Sequence, residues 1–126
     1  MRARSPAIKL LIRKSGARSS DMAAELAKHV GIEGDITYST NNGLVEIVPL
    51  GISKASGVEE IARPLGITSD EVVAFGDMPN DIPMLLWAGH GVAMGNAHPD
   101  VLSAADEVTA PNSDDGVGRV LERWWL

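Results

Sequence analysis

Apolar and polar positions follow two different rhythms along this chain, one on each side of Pro49. Before it, Ala7, Ile8, Lys9, Leu10, Leu11 and Ile12 follow Pro6 and read as a strand. A polar break over residues 15–20 leads to a helix whose stripe is Ala23, Leu26, Ala27 and Val30, with Ser20 as its cap and Gly31 as its stop. Ile36, Tyr38 and Thr40 then alternate with polar neighbours, and Asn42-Gly43 supplies the residues that a tight hairpin needs. Val45, Ile47 and Val48 carry the return strand to Pro49, so residues 7–49 predict a strand, a helix and an antiparallel hairpin.

Beyond Pro49-Leu50-Gly51 strands alternate with helices. A helix from about Ser53 places Val58, Ile61, Ala62 and Leu65 on one face, with Ser56 and Glu59 at capping-box spacing and Gly66 as the stop. Pro64 removes a hydrogen bond there and should kink the last turn. The apolar run Val72, Val73, Ala74, Phe75 is a buried strand, followed by a helix over residues 82–87 and a second short strand at Val92, Ala93 and Met94, closed by Gly95-Asn96. A helix over residues 98–105, a brief strand over residues 107–110 and a last helix with Val117, Val120, Leu121 and Trp124 aligned complete the pattern. Alternation of this kind predicts a parallel sheet with flanking helices.

Composition changes this picture little. The 126 residues are 44% hydrophobic and 22% charged, an ordinary globular balance, and the absence of cysteine rules out disulfides and thiolate metal sites. No apolar run approaches the roughly 20 residues of a membrane span and no leader-like apolar core follows the N-terminus, so a cytoplasmic protein without a membrane partner is expected. Charge is uneven: residues 1–30 carry seven Lys/Arg against Asp21 and Glu25, whereas the remainder holds four against fifteen acidic residues. The early cations, Arg2, Arg4, Lys9, Arg13, Lys14 and Arg18 among them, are spread without aromatic interleaving and read as solvated edge charge; the acidic remainder argues against nucleic acid.

The chemistry concentrates where the run at residues 72–75 empties into Gly76-Asp77-Met78-Pro79-Asn80-Asp81. Ligands of open α/β sheets bind at the carboxyl ends of strands. Asp77 and Asp81 are one turn of chain apart, and a pair of hard oxygen donors with open positions suits Mg²⁺ that also holds a phosphate. The same residues admit a plainer reading, in which Asn80 or Asp81 caps the next helix, Pro83 sits in its first turn and Asp77 is a solvated turn residue. His29, His90 and His98 lack metal-ligand spacing and read as surface or loop residues, and the methionines as filler. Trp124 is expected to pack on the sheet and Trp125 to lie half exposed, with a partner contact as the alternative.

Taken together, Ser53-Lys54 at a helix start, the residues 76–81 string, Gly91-Val92-Ala93-Met94-Gly95-Asn96-Ala97, and Asn112 before Asp115-Gly116-Val117 resemble the haloacid dehalogenase superfamily in its Cof-like phosphatase branch. The resemblance implies an α/β fold: residues 51–126 as the C-terminal half of a Rossmann-like core, and residues 1–50 as the closing part of an α/β cap domain. It implies that Asp77 coordinates Mg²⁺ directly and that Asp81 is a second acidic group, holding the metal's water or orienting Lys54. Asn80 donates to the substrate phosphate, Lys54 holds phosphoryl oxygens, and Asn112 lines the cleft. Phosphoryl transfer asks a protein for charge neutralisation and positioning, which suits these residue types.

The family's nucleophile is an aspartate in an Asp-x-Asp motif, and this sequence has none. The expectation is therefore the C-terminal half of a Mg²⁺-dependent phosphatase of a small phosphorylated metabolite, phosphoglycolate or a sugar phosphate. Its aspartyl-phosphate would form on a residue outside this chain, and the chain alone would be inactive. Without the neighbouring strand, residues 72–75 become an apolar edge that templates another chain, so the partner is the missing N-terminal half or a second copy in a homodimer. Two other readings are a non-catalytic remnant or assembly module, and a phosphomutase-type phosphotransferase.

Overall fold

A computed structural model of the protein describes residues 7–30 and 32–125. Arg2, Arg4, Pro6, Gly31 and the side chain of Trp125 lie outside the described residues. The chain divides into two compact units, one ending at Ile52 and one beginning at Ser53.

The first unit contains β1 (Leu10–Arg13), α1 (Ser19–Val30), β2 (Asp35–Thr37) and β3 (Leu44–Val48). They form an antiparallel sheet in the order β1-β3-β2, with Leu10 opposite Ile47 and Asp35 opposite Val48. Period-two alternation explains the central strand: Val45 is fully buried, while Glu46 on the other face pairs with Lys9 at 2.8 Å. The first strand is shorter than its apolar run, and Leu10 and Leu11 remain more than half exposed, because α1 packs chiefly on β2 and β3. Ser20 does not cap α1. The helix begins at Ser19, whose buried hydroxyl accepts from the backbone N–H of Gly43 at 3.1 Å and of Leu44 at 3.0 Å. The hairpin is not a tight two-residue one, since residues 38–43 separate its strands and Tyr38 turns inward. Gly43, at φ 82°, closes that connection against β1 by accepting the Lys14 N–H at 2.8 Å.

The second unit runs α2 (Lys54–Ala62), β4 (Val73–Gly76), α3 (Ile82–Trp87), β5 (His90–Ala93), α4 (Pro99–Ala104), β6 (Glu107–Val108) and α5 (Gly116–Trp125). Its strands are parallel in the order β4-β5-β6. Central β5 is covered on both faces, Val92 and Ala93 being fully buried, which is what a continuous apolar run in a parallel sheet implies. Ala74, Leu85, Ala88, Ala93 and Val101 form the core, and Val120 seats α5. Among the described residues β4 has one ladder partner, so its other side is an open edge.

Several local expectations are corrected here. The capping box of α2 joins Ser53 to Ser56, not Ser56 to Glu59. Pro64 does not kink the helix: α2 ends at Ala62 and Pro64 sits in a 3-10 turn, Arg63–Leu65, closed by Gly66 in the left-handed region. Ile61 and Leu65 are exposed, because α2 meets α3 through the side that buries Ala62. His90 is not a loop residue; it opens β5, and its Nε2 lies 2.8 Å from Glu107. Arg123 donates to both oxygens of the same carboxylate at 2.7 and 2.9 Å, and Trp124, half exposed, meets the His90 ring edge-on at 5.9 Å. Arg123 first, then His90, hold the Glu107 carboxyl below the usual glutamate range. Together they fasten α5 to the sheet.

Candidate active site

The site begins where β4 runs out. Gly76 is the last ladder residue, and its hydrogen leaves no room for a side chain, since an added Cβ would fall 2.5 Å from Asp81 Cβ. This close approach lets the 3-10 turn Pro79–Asp81 fold back over the strand end. Asp81 Oδ2 then accepts the backbone N–H groups of Asp77 at 3.0 Å and Met78 at 3.1 Å, while Oδ1 accepts from Lys54 Nζ. Asp81 is buried to 4% exposure, and its charge is tolerated because every bond it makes is to a donor.

Lys54 reaches that carboxylate because the Ser53 cap starts α2 at this point. It is the first helical residue, and helical side chains lean toward the N-terminus. Its side chain remains 49% exposed, so the ammonium is anchored by Asp81 and still open to solvent. The Asp77 backbone carbonyl accepts from His98 N–H at 2.8 Å, but its half-buried carboxylate has no hydrogen-bond or ion-pair partner among the described residues. Asn80 shares the turn, and its Oδ1 is buried without a partner.

Lys54, Asp77, Asn80 and Asp81 are thus brought together at one strand end, 27 residues of sequence separating Lys54 from its carboxylate. Asn112 does not join this network. It is exposed in the loop after β6, where its backbone N–H donates to Asn96 Oδ1 at 3.0 Å. In the sequence Asn96 is legible only as a turn residue after β5, yet its amide ties two loops at the carboxyl edge of the sheet. His98 ties a third, since its N–H holds Asp77 and its Nδ1 accepts from Asp100 N–H at 3.2 Å to cap α4.

A divalent ion is the group that this donor set suggests. Among the described residues no cluster of three or more His, Asp, Glu or Cys side chains could hold one, and both Asp81 oxygens already have partners. One partner-free carboxylate and one unpaired buried amide oxygen do fit part of a Mg²⁺ shell, because this ion keeps several waters and takes one or two carboxylates together with substrate phosphate.

The site is thus an acidic turn at the end of the first strand of a parallel α/β sheet, anchoring a lysine that arrives from the preceding helix. The chain belongs to the haloacid dehalogenase-like hydrolases, whose family model matches residues 1–121. It is 39% identical over 107 residues to a 5-amino-6-(5-phospho-D-ribitylamino)uracil phosphatase of Bacillus subtilis, a match covering 85% of this chain and 42% of that protein. An HMP-PP phosphatase of Serratia proteamaculans is 35% identical over 82% of this chain and 38% of its own length. Among solved structures, a subclass IIB sugar phosphatase superposes with a TM-score of 0.82 at 32% identity, covering 95% of this chain and 44% of that one. The chain therefore spans less than half the length of these relatives. The α/β fold with helices flanking a parallel sheet is the one these neighbours share. Among the described residues no helix is long and apolar enough to cross a membrane.

Proposed function

We propose that this chain supplies the metal- and phosphate-binding half of a Mg²⁺-dependent phosphatase acting on a small phosphorylated metabolite such as phosphoglycolate or a sugar phosphate. The observation that carries this reading is the network of Lys54, Asp81 and the Asp77 and Met78 amides at the end of β4, beside the Asp77 carboxylate, which no other group uses among the described residues. In it Asp77 is the direct Mg²⁺ ligand, and Asp81, with both oxygens engaged, orients Lys54. Lys54 holds phosphoryl oxygens, Asn80 donates its amide N–H to the phosphate, and Asn112 lines the cleft. When bound, Mg²⁺ supplies neutralisation of charge on the phosphate oxygens. The chain's own part is positioning: a half-exposed ammonium held by a buried carboxylate loses little freedom when a phosphate arrives.

In this reading residues 1–50 close a cap domain and residues 51–126 complete the core. The nucleophilic aspartate that would form the aspartyl-phosphate lies on another polypeptide segment, since no Asp-x-Asp motif occurs in this sequence. The open edge of β4 is where a strand of that missing half, or of a second copy, would pair. Mg²⁺ titration of the purified chain, followed through its backbone amide resonances, tests the site. Shifts concentrated at residues 76–81 and abolished by Asp77→Asn are expected. An unchanged response in Asp77→Asn, or a response elsewhere, would overturn it. Light scattering tests the edge: a stable monomer at high dilution with no tendency to pair counts against a second copy.

A further inference from the structure

We propose that Asn42 is a site of spontaneous deamidation whose rate is governed by the buried hydroxyl of Ser19. Of the five asparagines, Asn42 alone precedes a glycine, the arrangement in which the following backbone nitrogen is least shielded. The fold requires the glycine of this dipeptide. Gly43 sits at φ 82°, and an added Cβ would lie 3.0 Å from the Ala17 carbonyl oxygen, so a side chain at position 43 meets both strain and backbone.

Two contacts act in opposite directions on the reaction. The Thr40 hydroxyl donates to Asn42 Oδ1 at 2.6 Å, which draws electron density from Asn42 Cγ and makes it a better electrophile. The attacking atom is restrained: Gly43 N–H donates to Ser19 Oγ at 3.1 Å, and Ser19 is fully buried. In the step itself the Gly43 N–H proton passes to a solvent base and the nitrogen bonds to Asn42 Cγ. The bond from Cγ to the Asn42 amide nitrogen then breaks, releasing ammonia and leaving a succinimide. Water opens that ring at Cγ to give aspartate, or at the backbone carbonyl to give isoaspartate; either product carries one new negative charge. The isoaspartyl product also lengthens the connection between β2 and β3 by one backbone atom, beside the Gly43–Lys14 hydrogen bond.

The test is peptide mapping of the full chain after incubation at mildly alkaline pH, with enzymatic methylation to count isoaspartate. Conversion should be greatest at Asn42 among the asparagines, faster in urea than in the folded chain, faster by about fivefold to thirtyfold in Ser19→Ala, and slower in Thr40→Val. The first factor corresponds to losing one or two restraining hydrogen bonds. Equal rates at Asn42 in folded and urea-unfolded chain would overturn the proposal, as would an unchanged rate in a natively folded Ser19→Ala. Should Ser19→Ala fail to fold, wild-type chain in sub-denaturing urea serves instead. There the exchange rate of the Gly43 amide and the conversion of Asn42 must rise together, and divergence of the two sinks the idea.

Discussion

Replacing Asp81 by alanine removes the acceptor on which the end of β4 is built, and the structure ranks the bonds that would be lost. The carboxylate accepts from two backbone amides and one ammonium. The ammonium contributes least: the Lys54 side chain is 49% exposed, and pairs open to water are worth about 0–1 kcal/mol. The amides of Asp77 and Met78 sit in a partly buried turn, and stranding each costs about 1–3 kcal/mol. With some water entering the space vacated, a loss of about 2–4 kcal/mol is expected for Asp81→Ala, against about 1 kcal/mol or less for Lys54→Met, which keeps the aliphatic stem. Urea unfolding followed by tryptophan fluorescence reads both, since Trp87 ends the helix that leaves this turn. If Lys54→Met costs as much as Asp81→Ala, the ammonium is the principal partner and the amides are not what the carboxylate is there to hold. A loss below about 1 kcal/mol for Asp81→Ala would refute the ranking as well.

Three further outcomes are expected. Gly76→Ala, whose Cβ would press on Asp81, should destabilise the chain by about 1–3 kcal/mol as overpacking and, on the function proposed above, weaken Mg²⁺ binding together with it, measurable by thermal shift and titration. Because Arg123 and His90 depress the Glu107 carboxyl, its folded form binds protons less readily than its unfolded form. Its stabilising share should be complete above the ordinary glutamate range and disappear as pH falls through the lowered value. Urea midpoints measured downward from neutral pH should therefore drop less steeply in Glu107→Gln than in wild type. Finally, Val45→Ala, at a fully buried position, should cost about 2 kcal/mol, whereas Ile61→Ala on the exposed side of α2 should stay within about 0.5 kcal/mol by the same assay.

Much of this protein is written locally. The change of rhythm at Pro49 marks the change from an antiparallel sheet to a parallel one, and the units part a few residues later, between Ile52 and Ser53. The string from Gly76 to Asp81 could be read as a strand end and an acidic turn because Gly, Pro and Asp have strong backbone preferences of their own. Local pattern failed where the answer depends on what covers a face. Ile61 and Leu65 carry helical spacing as good as that of any core residue, yet α3 lies against the other side of α2. Leu10 and Leu11 belong to an apolar run that reads as a strand, yet they stay exposed because α1 stands over the neighbouring strands. Only the tertiary structure decided that Asp81 spends its oxygens on Lys54 and two amides, that Ser19 rather than Ser20 organises the β2–β3 connection, and that Asn96 ties two loops. Periodicity records which side of an element is apolar. The partner of a carboxylate or a hydroxyl across 25 or more residues depends on where chain ends meet once the core has closed.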